Sequence, residues 1–177
     1  GEPDFAAPDK VRQAMIDSLN NKETGYTGNS GLPELREAIS DYFDKHYGVK
    51  YDPAGEIIVT VGVSEGLAMA LQAIVDHGDE VLIPDPAYVA YPAAVQLAGG
   101  IPVMVPTYPE HDFKLSVEAL EKVVTPKTKA MVIGYPNNPT GTVMTAEELM
   151  PVAEFAKKHD LVVLADEIYC ELVYGDT

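Results

Sequence analysis

From residue 56 onward, short apolar runs alternate with longer stretches in which apolar residues recur every three or four positions. The short runs, at 57–61, 80–84, 101–105, 130–134 and 161–165, have the length of buried strands. The longer stretches, at 64–75, 88–98, 116–123 and 146–158, carry the period of amphipathic helices. This β-α repetition predicts an α/β fold: a three-layer α-β-α sandwich built on a mostly parallel sheet.

Before residue 56 the pattern changes. Two amphipathic helices are predicted at 9–19 and 32–47, joined by a Gly- and Asn-rich segment at 25–31. Glycines there permit positive φ and Pro33 suits the first turn of the helix that follows, so the segment reads as an ordered loop presenting Tyr26. The organisation expected is a helical lead-in over residues 1–50 and part of a large α/β domain over 51–177. No internal repeat or low-complexity segment interrupts it.

In an open parallel sheet, ligands meet the loops that leave the carboxyl ends of the strands. Two polar clusters occupy such places: YPNNPTG at 135–141, after the run 130–134, and ADEIY at 165–169, closing the run 161–165. Together they aim the amide of Asn138, the carboxylate of Asp166 and the phenol of Tyr169 into one crevice, a set suited to a flat, hydrogen-bonding heterocycle. Of the two adjacent carboxylates, Asp166 is expected to face inward and Glu167 outward or sideways. Each residue alone also has a plainer reading: Asp166 as a helix cap or structural ion pair, Asn138 as a turn residue before proline, Tyr169 as a core tyrosine.

A third candidate place follows the run 57–61. There the amides of Val63 and Ser64, with the Ser64 hydroxyl, sit where a helix begins and can cradle a dianionic phosphate at the positive end of the dipole. The plainer reading of Ser64 is an N-cap. Tyr88, in the segment DPAYVAYP, reads by itself as a helix-face core contact with Tyr91.

Charge narrows the partners. With 28 acidic against 12 basic residues, the formal net charge of −16 repels phosphate backbones and anionic lipid, so nucleic acid and membrane are not expected partners. An anionic cofactor is still allowed, because oriented backbone amides act locally. A length of 177 residues with 46% hydrophobic content suffices for one domain with a sizeable core. The single cysteine, Cys170, excludes an internal disulfide, and no long apolar span or signal pattern is present, which points to the cytoplasm. The histidines His46, His77, His111 and His159 are scattered without ligand spacing, so no metal site is expected. Glu23, Glu34, Glu37 and the stretch 41–45 read as solvated helix faces.

Six fragments carry a wider resemblance: GEPDF at 1–5, GYTGNSGLPELREAI at 25–39, VTVGVSEGL at 59–67, DPAYVAYP at 85–92, YPNNPTG and ADEIY. In this order, and across essentially the whole chain, they resemble class I/II aminotransferases of fold type I, of the aspartate and aromatic kind. The resemblance implies pyridoxal 5'-phosphate as cofactor. It assigns Asp166 to the pyridine nitrogen, Asn138 and Tyr169 to the 3-hydroxyl, Val63 and Ser64 to the phosphate, and Tyr88 to the ring face. It also implies a homodimer in which Tyr26 reaches the neighbouring site, and places Gly1 near the substrate carboxylate. The bonds Asp85–Pro86 and Asn138–Pro139 are expected to be cis.

The activity implied is amino transfer between an L-amino acid and a 2-oxo acid, with aspartate or aromatic substrates. Lyases share this cofactor fold, and a non-catalytic cofactor- or partner-binding module is a further alternative. The family tethers its cofactor covalently to a lysine in an S-x-S-K-like run beyond the ADEIY strand, and no such run occurs here. Lys127, Lys129, Lys157 and Lys158 match no part of it. The expectation is therefore the front part of a longer enzyme, without the tethering lysine and the C-terminal small domain. By itself it should bind cofactor weakly and turn over negligibly.

Overall fold

The computed structural model describes residues 5–174 and divides between Val59 and Thr60 into two compact units. In the first unit, α1 spans Asp9–Asn20 and α2 spans Pro33–Tyr47. Pro33 opens α2, and Gly48 closes it in the left-handed conformation at φ 67°, with Lys45 and His46 complementing the dipole in the last turn. The chain after α2 is fastened to the helix by side chains: buried Ser40 donates to the Tyr51 carbonyl at 2.6 Å, and the Arg36 guanidinium donates to that of Pro53 at 2.7 Å. Gly31 carries the expected positive φ, at 90°, and any Cβ there would lie 2.6 Å from that of Val59. The loop before it leaves the Tyr26 side chain fully exposed.

The run 57–61, expected as a strand, is not one. A strand needs successive amides paired along a neighbouring strand. Here the Val59 amide goes instead to the Ser30 carbonyl at 3.1 Å, and the Val61 amide goes to the Glu65 carboxylate.

The second unit runs α3 (Gly62–Ile74), β1 (Glu80–Asp85), α4 (Ala90–Leu97), β2 (Ile101–Pro106), a 3₁₀ turn (Pro109–His111), α5 (Val117–Glu121), β3 (Thr128–Ile133), α6 (Ala146–Lys158) and β4 (Val162–Ala165). The four strands form one parallel sheet in the order β2-β1-β3-β4. Period-two alternation divides each central strand between two cores. Val81 and Ile83 of β1, with Ala130 and Val132 of β3, pack under Leu71 of α3 and under Tyr91 and Val95 of α4. Leu82 and Met131 face the other way, onto Leu120 of α5 and onto Val152 and Phe155 of α6. Helices thus cover both faces, which is the predicted three-layer α/β sandwich.

Helix boundaries shift by a few residues. The helix expected from residue 88 begins at Ala90, leaving Tyr88 in the loop, while α3 starts two residues early, at Gly62. The helix expected over 116–123 shortens to α5, whose N-cap Ser116 accepts from the Ala119 amide at 3.2 Å. α6 opens on a full capping box between Thr145 and Glu148.

Among the described residues, no helix is long and apolar enough to cross a membrane, and no group of three or more His, Cys, Asp or Glu could hold a metal ion.

Candidate functional site

β1 has β2 on one side and β3 on the other, so the connections leaving β1 and β3 part at the point where strand order reverses. That is where an open α/β sheet forms its crevice. Three loops meet the carboxyl ends of the strands there: 86–89 after β1, 134–145 after β3, and 166–174 after β4.

The loop after β1 begins at a cis Asp85–Pro86 bond, as expected. Its start is held by the buried side chain of Thr107, whose hydroxyl donates to the Asp85 carbonyl at 2.9 Å. The loop after β3 contains the expected cis Asn138–Pro139 bond and a further one at Tyr135–Pro136. Asn137 organises it from inside. Its buried side-chain oxygen accepts from the Thr140 amide at 3.2 Å and hydroxyl at 2.9 Å, while its amide group donates to the Pro86 carbonyl at 3.5 Å. One side chain therefore links the loop carrying Asn138 to the loop carrying Tyr88.

Tyr135 anchors the same loop at its root. Its phenol accepts from the Leu115 amide at 3.1 Å and donates to the Phe113 carbonyl at 3.3 Å. Burial pushes its pKa up to about 12, from an ordinary value of 10.0. The fold thus favours the neutral phenol. Its contribution is complete below pH 10, where the unfolded phenol keeps its proton, and is lost as pH rises through about 12. Urea unfolding midpoints measured at increasing pH should fall across this window, and Tyr135→Phe should make the fall shallower. An equally steep fall in that variant would assign the alkaline loss elsewhere.

Asp166 continues the β3–β4 ladder by one residue, its amide donating to the Ile133 carbonyl at 2.8 Å. Its half-buried carboxylate is engaged at both oxygens: Oδ2 accepts from the Tyr91 hydroxyl at 2.8 Å, and Oδ1 from the Ile168 amide at 3.1 Å. Glu167 is exposed, matching the expected division between the two carboxylates. Asp166 lines a cleft of about 380 Å³ together with Thr60, Val63, Gly66, Leu67 and Leu164. Val63 of the first turn of α3 therefore lines the same space as the carboxylate, whereas Ser64 does not line it, and first-turn amides have no carbonyl within their helix to receive them.

Ser64 is exposed in that turn and is not the N-cap, which is Val61; it is the third helical residue. Asn138 and Tyr169, both half-buried, share a second recess of about 400 Å³ with Pro139, Leu172, Val173 and Tyr174. Tyr88 meets Tyr91 edge to face, with ring centroids 5.6 Å apart. Val63 and Asp166 are thus brought together, as are Asn138 and Tyr169, and Tyr88 joins Asp166 through Tyr91. Tyr26 belongs to the other unit, and Gly1 lies outside the described residues.

Sequence alone marks Tyr91 only as a core neighbour of Tyr88 and singles out neither Asn137 nor Gly134. Tyr91 could have been flagged by its spacing in DPAYVAYP, and Gly134 by ending an otherwise bulky apolar run.

Comparison with known proteins gives one answer. The profile of the family described as aminotransferase class I and II matches residues 1–177. The aromatic-amino-acid aminotransferase 2 of Thermococcus litoralis is 48% identical over 174 residues, which cover 98% of this chain and 45% of that relative. The aspartate aminotransferase of Pyrococcus abyssi is 48% identical over 176 residues, covering 99% of this chain and 45% of that relative. Among solved structures, an aromatic aminotransferase from Pyrococcus horikoshii matches with a TM-score of 0.97 at 46% identity, over 100% of this chain and 48% of that one. The chain spans a little under half the length of each. The profile match from end to end, the sequence identity and the shared fold together make this chain a member of the class I and II aminotransferase family.

Proposed function

We propose that the whole polypeptide carrying this chain transfers an amino group between an L-amino acid and a 2-oxo acid, with pyridoxal phosphate as cofactor. The carrying observation is the half-buried Asp166 carboxylate, held at both oxygens in a cleft that Val63, Gly66 and Leu67 of α3 also line. Relatives named as aromatic and aspartate aminotransferases support substrates of those two kinds.

The donor set fits the cofactor: a carboxylate for a ring nitrogen, an amide and a phenol for a ring hydroxyl, and first-turn amides for a phosphate. When bound, pyridoxal phosphate supplies an electron-accepting ring next to the substrate carbon that gives up its proton. Asp166, as an anion beside the ring nitrogen, holds a proton on that nitrogen. Asn138 and Tyr169 donate to the 3-oxygen and lower its basicity. Val63 and Ser64 receive the phosphate with their amides, where the helix dipole favours negative charge whatever the net charge of the chain. Tyr88 offers its exposed ring to the cofactor face. Tyr26, fully exposed on its loop, is assigned to the neighbouring site of a homodimer. No S-x-S-K-like run occurs among these 177 residues to supply a tethering lysine.

The test follows nitrogen. Purified whole polypeptide is given [15N]aspartate or [15N]phenylalanine with a 2-oxo acid, and the products are read by mass spectrometry; a parallel sample is reduced with borohydride and peptide-mapped. Label in the new amino acid, with a cofactor adduct on one lysine, supports the reading. Label released only as ammonia would mean a lyase, and no transfer with no adduct would mean a binding module; either defeats the proposal.

A further inference from the structure

We propose that Tyr91 is a positioning residue for the cofactor: through one hydrogen bond and one ring contact it sets both the carboxylate that meets the ring nitrogen and the aromatic residue that meets the ring face. This rests on the roles proposed above for Asp166 and Tyr88.

Tyr91 lies on the buried face of α4, 5% exposed, within the core that also contains Val81, Ile83 and Val132. Packing fixes its ring, and a fixed ring leaves the hydroxyl little freedom. That hydroxyl donates to Asp166 Oδ2 at 2.8 Å. A carboxylate held only by the Ile168 amide at Oδ1 could still swing about its side-chain torsions; with both oxygens occupied by donors from different elements, its plane is set.

The same ring meets that of Tyr88 in a T-shaped contact, with the two planes at 85°. Tyr88 directly precedes the N-cap Val89 of α4, its carbonyl accepts from the Tyr91 amide at 3.1 Å, and its ring packs on that of Tyr91, so the two tyrosines are coupled through backbone and ring. Room for the arrangement comes from Gly134, where any Cβ would stand 2.8 Å from the Tyr91 hydroxyl. Burial and the neighbouring carboxylate push the Tyr91 phenol well above its ordinary pKa, so it remains a donor at neutral pH. A tyrosine needed only for packing would lose little as phenylalanine. One that positions Asp166 would lose a charge-assisted hydrogen bond, and the carboxylate would lose its aim.

The experiment uses the whole polypeptide as wild type, Tyr91→Phe, Asp166→Asn and the double variant. Three quantities are read: the dissociation constant of added pyridoxal phosphate, the 15N resonance of the bound cofactor's labelled pyridine nitrogen, and the urea stability of the apo protein. Tyr91→Phe should weaken cofactor binding about tenfold and move the resonance toward that of an unprotonated pyridine. In the Asp166→Asn background the same change should alter neither readout further, because the group it positions is gone. If Tyr91→Phe lowers only apo stability, Tyr91 is a core residue and the proposal fails. If its effect persists in full beside Asp166→Asn, it acts by another route and the proposal also fails. An Asp166→Asn protein with wild-type affinity and resonance overturns the reading of Asp166 itself, a result separate from the other two. Should Tyr91→Phe not fold, an isosteric fluorotyrosine at position 91 changes donor strength alone; the resonance should move, and an unmoved one refutes the proposal.

Discussion

Under the proposed amino-transfer function, Asp166→Asn should lower kcat/KM by roughly a hundredfold to a thousandfold in the whole polypeptide, while leaving the fold intact. The substitution is nearly isosteric, so the cost is electrostatic. A neutral amide cannot stabilise a protonated ring nitrogen, and its NH₂ group would point a donor at a donor. The loss is set by the removed charge pair, worth about 3–5 kcal/mol when a buried pair is broken and less at a half-buried position such as this. Structurally the change is mild. An asparagine has one acceptor oxygen where aspartate has two, so either the Tyr91 hydroxyl or the Ile168 amide loses its partner, at about 1–3 kcal/mol. Steady-state kinetics with cofactor in excess, alongside urea unfolding, separates the two costs. A variant that keeps full activity would remove Asp166 from the chemistry, and one that fails to fold would make it a structural anchor.

The layers of the fold were legible because the signal is local. In β1, Val81, Leu82 and Ile83 form an uninterrupted apolar run, and the structure buries alternate residues in opposite cores, as a strand covered on both faces requires. The same logic failed at 57–61. An apolar run reports that side chains need burial, not that a neighbouring strand is there to pair with, and the amides of Val59 and Val61 found other acceptors. Within the site, the division between Asp166 and Glu167 was readable from the end of a strand. The roles of Asn138, Tyr169, Val63, Ser64 and Tyr88 rested on motif resemblance, since each has an ordinary structural alternative. The spacing of Tyr88 and Tyr91 in DPAYVAYP marks Tyr91 as a neighbour on the same helical face, but nothing local points from it to Asp166. The bond from Tyr91 to Asp166 joins residues 75 apart in the chain and exists only once α4 and β4 are docked on the same sheet.

Gly134→Ala provides a sharper probe of that junction. The added methyl should destabilise the protein by about 1–3 kcal/mol and weaken cofactor binding as Tyr91→Phe does. Gly134 is buried at the end of β3 and is not among the positive-φ glycines, so a backbone penalty is not the source. The conflict is steric: the ideal Cβ lies 2.8 Å from the Tyr91 hydroxyl and 3.5 Å from both Cβ and the carbonyl oxygen of Asp166. The last two distances are ordinary contacts. Relief must therefore come from the phenol, whose ring is packed among Val81, Ile83 and Val132 and can withdraw only by giving up its bond to Asp166. Removing the obstructing oxygen should release the strain. In the Tyr91→Phe background, Gly134→Ala should cost clearly less stability than in the wild type, a non-additivity that chemical denaturation of the four proteins can measure. If the two costs simply add, the methyl is accommodated by movement of the backbone, and the space at residue 134 is not what seats the Tyr91 hydroxyl against Asp166.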